Sequence, residues 1–207
     1  MRAPVSIAVL VGSPRPAGSC AALASFVARG VENADAHVEL VRLTDYAFAG
    51  CVGCGACETT GACVFDAREA RQPQHRQGFL ALYERLTRCD GLALVAPVYF
   101  SGPPSQLKAL FDRMQPLWAQ RYILGTRPPL PLEQRCPFDL FAVGAGGDPF
   151  GFDSLVTCAR SSLRMANYEL RAVHDCVGYR TGRIADEAFE RMAQEEGTRL
   201  VEAVRAR

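Results

Sequence analysis

"DGLALVAPVYFSGPPSQLKALFDR", residues Asp90 to Arg113, contains a strand, a turn and a helix in one short stretch. The strand "GLALVAPVYF", residues 91–100, is apolar without polar alternation and is brought to its end by Pro97. A strand of that kind is covered on both faces, as in a parallel sheet between two helical layers. Proline stops it because it has no N–H for the ladder. From Ser105 the period changes. Leu107, Leu110 and Phe111 fall on one side of a helix running to Met114.

The same alternation extends in both directions. Val5 to Val11 is a short β-branched strand, and Ser19 to Glu32 carries Leu23, Phe26, Val27 and Val31 at helical spacing. Val38 to Leu43 alternates in the strand period, and Gly78 to Arg88 reads as a helix with Phe79, Leu82, Tyr83 and Leu86 on one face. Residues 116–136, with "RPPLP", read as a long irregular loop. A strand begins at Phe138 in "FDLFAVGAGG", a helix follows over Phe152 to Met165, and Leu170 to Val177 is the last strand. A charged amphipathic helix over Ile184 to Val204 closes the fold. The expectation is one α/β domain over residues 1–207: a flavodoxin-like, doubly wound, five-stranded parallel sheet of order 2-1-3-4-5. A cysteine-rich insertion at about 48–72 follows strand two.

Bulk composition removes several classes of function. A formal net charge of +1 offers no basic surface for nucleic acid. The apolar run near the N-terminus breaks at Gly12-Ser13-Pro14, too early for a secretory signal, and no stretch is long enough to span a bilayer. A cytoplasmic protein with no membrane partner is expected. There thiols stay reduced, so nine cysteines point to metal or redox chemistry rather than a disulfide framework.

In a sheet of this order ligands sit beyond the carboxyl ends of the strands, at the switch in strand order. Three turns lie there. "GSPRPAGSC", Gly12 to Cys20, has neither a Walker lysine nor a G-x-G-x-x-G pattern, yet it offers Ser13, Arg15, Ser19 and backbone N–H groups entering a helix. That set suits a phosphate; a plain helix cap with Ser19 as N-cap is the alternative. In "PVYFSG" the rings of Tyr99 and Phe100 give flat apolar surface, while Ser101 and Gly102 let backbone approach a ligand. "GAGGDPFG", Gly144 to Gly151, is the weakest of the three, since its glycines also suit an ordinary loop.

Together, "GSPRPAGS", "CVGCGAC" with "GAC", and "DGLALVAPVYFSGPPSQLKALFDR" resemble the NAD(P)H-dependent FMN reductase superfamily, and within it the iron–sulfur flavoproteins. The resemblance implies FMN, with its phosphate on Ser13, Arg15, Gly18, Ser19 and Cys20. Its isoalloxazine would lie along Pro97, Val98, Tyr99, Phe100, Ser101 and Gly102 and beside Gly146 and Gly147. Cys20 departs from the threonine or asparagine common at that place, and a thiol is a weak donor. Lys108, Asp112 and Arg113 resemble the helix after the flavin turn. The i,i+4 spacing of Lys108 and Asp112 makes a helix-surface ion pair the simplest reading of those two.

Cys51, Cys54, Cys57 and Cys63 have the spacing C-x2-C-x2-C-x5-C. Zinc sites usually join two close pairs across a longer gap, whereas three ligands at x2-x2 with a fourth nearby can wrap a [4Fe–4S] cubane. An empty or redox-reactive thiol loop and a zinc site stay open beside the cluster. Cys89, Cys136, Cys158 and Cys176 read as small buried hydrophobes, and His37, His75 and His174 as structural or exposed.

The resemblance implies an FMN-dependent oxidoreductase taking electrons from NAD(P)H or ferredoxin and giving them to a small acceptor such as a quinone, a flavin or a metal ion. It also implies a homodimer or homotetramer. The loop with Trp118 and Tyr122 is expected to cover the flavin or to meet a second subunit. A non-catalytic flavin electron carrier and a redox sensor are the alternatives. A carrier of the flavodoxin kind is usually acidic, unlike this chain.

Overall fold

A computed structural model describes residues 4–69, 71, 78–147, 149–180 and 186–207. Five strands form one sheet: β1 (Ser6–Val11), β2 (His37–Arg42), β3 (Gly91–Pro97), β4 (Cys136–Gly144) and β5 (Tyr168–Val177). Their order is β2-β1-β3-β4-β5 and every neighbouring pair is parallel. The helices are α1 (Ser19–Asn33), α2 (Ala56–Thr60), α3 (Val64–Glu69), α4 (Phe79–Thr87), α5 (Ser105–Asp112), α6 (Gln115–Tyr122), α7 (Asp153–Met165) and α8 (Glu187–Arg205).

The central strands are apolar, apart from Ser6 at the start of β1 and Asp139 within β4, because both of their faces are used. Ala8, Leu10, Leu92 and Leu94 point into one core with α4, α5 and α7. Ile7, Val9, Ala93 and Val95 point into the other with α1 and α8. Two glycines permit the close approach of α1 to α8. A Cβ on Gly30 would stand 1.8 Å from the Gln194 carbonyl oxygen, and one on Gly197 would stand 2.3 Å from that of Val27. Thr198 Oγ1 donates to Gly30 O at 2.8 Å across the same contact.

Segment 116–136 is not irregular throughout. It begins within α6, and Leu132–Gln134 forms a 3-10 turn. Pro116 occupies the first turn of α6, where its missing N–H costs nothing. Leu117, Ala119 and Arg121 face inward, and Arg121 donates to Arg164 O and Asn167 Oδ1. β5 starts earlier than the apolar pattern indicates. Asn167, in the left-handed region at φ 64°, ends the turn after α7, and its carbonyl accepts from Cys136 N–H at 3.0 Å. His75, the Ile184 start of the last helix, and residues 70 and 72 of the expected insertion lie outside the described residues. Among the described residues no helix is long and apolar enough to cross a membrane.

Candidate functional site

The turn after β1 is tied to the sheet by Gly12 N–H, which donates to Val95 O at 2.9 Å. Ser13 is buried, and its hydroxyl accepts the Arg15 N–H at 3.2 Å, so this serine shapes the turn from inside. The N-cap of α1 is Gly18, not Ser19, and no side chain caps the helix. The first turn of α1 holds no acidic residue. Its orphan N–H groups are therefore left for an anion. Cys20 is buried at this end. Burial pushes its thiol up to about 12, against smaller opposing effects of the Ser13 hydroxyl and the Arg15 charge. It stays a neutral thiol at physiological pH and brings no charge to the turn.

After β3 the chain makes a two-residue turn. Tyr99 N–H donates to Gly102 O at 2.9 Å, and Gly102 N–H returns to Tyr99 O at 3.0 Å. The left-handed positions are Phe100, at φ 49°, and Ser101, at φ 62°, rather than the glycine. Non-glycine residues there cost about 1 kcal/mol each. The turn holds the Phe100 ring fully exposed at its tip.

These turns converge. Ser13, Arg15, Gly18, Ser19, Cys20, Pro97, Val98 and Tyr99 line one crevice of about 880 Å³. Phe100, Ser101, Gly146 and Gly147 line an adjoining crevice of about 750 Å³, and the two share Val98, Gly144 and Ala145. Gly102 lines neither and serves to close the turn. Gly146 and Gly147 take φ of 83° and 86°, which their lack of a Cβ permits. At Gly144 a Cβ would stand 2.7 Å from the Phe152 ring, so a larger residue would push that ring off the backbone. The cradle fits FMN: an anion site with a cation at one end, flat apolar surface and approachable backbone at the other.

The lining also includes residues that the sequence does not mark. Phe152 belongs to the second crevice although its position reads as plain helix. Gly178, Tyr179 and Arg180, after β5, reach the first crevice. Gly178 directly after the last strand is the one sequence signal for that fourth turn.

The cysteine segment forms a hollow of its own, about 340 Å³, rimmed by Cys51, Cys54, Cys57 and Cys63 with Asp112 and Arg113. It has no lining residue in common with the two joined crevices. Gly53 and Gly55 take φ of 67° and 71°, and a Cβ on either would meet nothing within 4 Å. These positions bend the chain around the hollow without filling it. Gly53 N–H donates to Cys51 Sγ at 3.4 Å. The Cys57 thiol is pushed up, first by desolvation and then by neighbouring Cys51, Glu58 and Cys54. Four cysteines lining one open hollow, with an N–H aimed at sulfur, fit a thiolate-bound cluster.

Arg113 anchors this segment. Its side chain is wholly buried and donates to Ala49 O at 2.9 Å, Glu69 Oε1 at 2.6 Å and Asp66 Oδ1 at 2.7 Å. Its guanidinium also lies 4.7 Å from the Phe79 ring centre. Lys108 and Asp112 form the expected i,i+4 pair at 2.6 Å.

One further group of donors is gathered closely. Asp139, His174 and Glu196 each bring a ligand atom within 4.8 Å of the others. The positive charge between the two carboxylates is already supplied by Arg171, whose Nε donates to Asp139 Oδ1 at 2.8 Å and whose Nη2 donates to Glu196 Oε2 at 3.1 Å. His174 stacks on Phe141 at 4.5 Å. The group is an internal ion network joining β4, β5 and α8.

A doubly wound sheet of this order, with an anion-ready turn after β1 and a flat-surfaced turn after β3, defines a flavodoxin-like mononucleotide-binding protein. More particularly, the chain belongs to the NADPH-dependent FMN reductase family, whose model matches residues 5–173. An iron–sulfur flavoprotein of Methanocaldococcus jannaschii is 32% identical over 108 residues, covering 51% of this chain and 50% of that protein. An iron–sulfur flavoprotein of Methanosarcina thermophila is 29% identical over 123 residues, 59% of each chain. The chain thus spans about half the length of the curated relatives it matches. Among solved structures, an NAD(P)H:quinone oxidoreductase from Methanothermobacter marburgensis superposes with a TM-score of 0.64 at 15% identity, over 96% of this chain and 100% of that one.

Proposed function

We propose that the protein is an FMN-dependent oxidoreductase, taking electrons from NAD(P)H or ferredoxin and delivering them to a small acceptor such as a quinone, a flavin or a metal ion. The observation that carries this reading is the meeting of the turns after β1, β3 and β4 at one pair of joined crevices. FMN bound there would supply the hydride and single-electron chemistry. Arg15, Ser19 and the N–H groups of α1 would hold the phosphate, with Ser13 keeping the turn in shape. Val98, Tyr99 and the backbone at Gly146 and Gly147 would lie against the ring system. Phe100 would exclude water from its outer edge.

The cysteine hollow is assigned to a [4Fe–4S] cluster held by Cys51, Cys54, Cys57 and Cys63. This rests on the x2-x2-x5 spacing, on the open hollow and on membership alongside proteins named iron–sulfur flavoproteins. A homo-oligomer is part of the same reading. α6 supports it by leaving Trp118 and Tyr122, ring centres 5.9 Å apart, exposed, with Ile123 exposed just after the helix.

Anaerobic purification followed by an optical spectrum, flavin and iron analysis, and turnover with NADH, NADPH and reduced ferredoxin tests the proposal. Bound FMN with turnover from one of the three donors is expected. Colourless protein indifferent to added FMN would end the reading. For the hollow, Cys54→Ser is expected to lower iron content while FMN is retained; unchanged iron in that variant would remove the cluster assignment.

A further inference from the structure

A fourth turn, absent from the expected set, reaches the first crevice. Gly178, Tyr179 and Arg180 follow β5 and line it together with Ser13 and Arg15. The backbone leading up to the arginine is fixed. Gly178 N–H donates to Gly144 O at 2.6 Å with φ at 77°, and Arg180 N–H donates to Oδ2 of buried Asp186 at 3.3 Å. Between them Tyr179 is buried, edge-on to Phe189 at 5.8 Å and hydrogen-bonded to Glu190. The main chain is held while the Arg180 side chain stays exposed at the rim of the crevice.

We propose that Arg180 is a second cationic arm for the flavin phosphate, acting with Arg15 and the N-terminus of α1; this rests on the FMN reading above. Charge balance supports it. Among the described residues, those lining the crevice include two arginines and no aspartate or glutamate. A phosphate monoester carries roughly −1.5 to −2 charge near neutral pH. A helix N-terminus offers about half a positive charge. With Arg15 alone the cradle falls short of a dianion, and Arg180 makes up the difference. The guanidinium fork can also donate two parallel hydrogen bonds to phosphate oxygens, which binds and orients together.

The test titrates flavin-free protein with FMN and with riboflavin, which lacks the phosphate, following flavin fluorescence. Arg180→Gln is expected to weaken FMN about tenfold, as for loss of a charge-assisted hydrogen bond, and to leave riboflavin unchanged. The salt dependence of FMN binding should flatten in this variant. Arg180→Lys should recover part of the affinity, which loss of packing would not allow. Equal weakening of FMN and riboflavin would make the residue a packing element and overturn the proposal. Unchanged FMN affinity would overturn it as well. A rise in KM for NADPH alone would move Arg180 to the electron donor. Wild-type protein that binds neither flavin would overturn the FMN reading itself, a result distinct from any produced by the variants.

Discussion

Arg113 Nη1 donates to the Ala49 carbonyl at 2.9 Å, joining the end of α5, the helix after the β3 turn, to the start of the cysteine segment across 64 residues of chain. The same guanidinium holds Asp66 and Glu69 of α3. One side chain therefore fixes the segment from both ends. Replacing it with methionine leaves two carboxylates, 20% and 13% exposed, without their cation. Arg113→Met is expected to cost about 3 kcal/mol, read as a lowered midpoint in chemical denaturation. Limited proteolysis should cut first within residues 49–69. A variant as stable and as protease-resistant as wild type would show that the anchoring is not needed.

Gly30→Ala tests the contact between α1 and α8. The added methyl would enter the space of the Gln194 carbonyl, which is backbone and cannot turn away. Overpacking of this kind costs typically about 1–3 kcal/mol, and here the upper end is expected. A thermal midpoint equal to that of wild type would show that the helices separate without penalty.

Glu196 gives the fold a dependence on pH. Burial pushes its carboxyl up, but hydrogen bonds from Arg171 and Arg199, with His174 nearby, outweigh that and leave it below the ordinary carboxylate value. A group depressed in the folded state contributes stability above its unfolded pKa and loses it as pH falls through the folded value. Stability should therefore decline below the ordinary carboxylate range, and Glu196→Gln should flatten that acidic limb. Denaturation midpoints compared between neutral and acidic pH check this; parallel slopes for the two proteins would refute it.

Phe100→Gly separates strain from use. Glycine accepts φ near 49° freely, so the substitution should leave stability unchanged or raise it by up to about 1 kcal/mol. Turnover should fall, because the exposed ring at the edge of the crevice is lost. If turnover is untouched, the strained turn has no part in the reaction.

The sheet was legible because β1 after Ser6 and β3 are apolar without interruption and β4 is broken only by Asp139, a pattern that double burial demands. α6 was not, since Pro116 and the later "RPPLP" together look like a breaker, although a proline in the first turn breaks nothing. The phosphate turn and the aromatic turn could be read locally, each from consecutive residues. Arg113 and Arg180 could not. The work of Arg113 depends on Ala49, Asp66 and Glu69, brought to it from the other side of β3. Arg180 reaches the crevice through the bond from Gly178 to Gly144. The alternative reading of Ser19 as a plain N-cap does not hold, because Gly18 takes that position and no side chain caps the helix.

The glycine-mediated seam between α1 and α8 also bears on the order in which the molecule can be assembled. During synthesis the side of the sheet carrying Ile7 and Val9 receives α1 early, but its remaining cover includes Leu200 and Val201. Until those residues clear the ribosome, that flank stays greasy and unsealed. Completion of the native state must therefore wait for translation to pass them, with the nascent chain exposed to chaperones and to self-association in the interval.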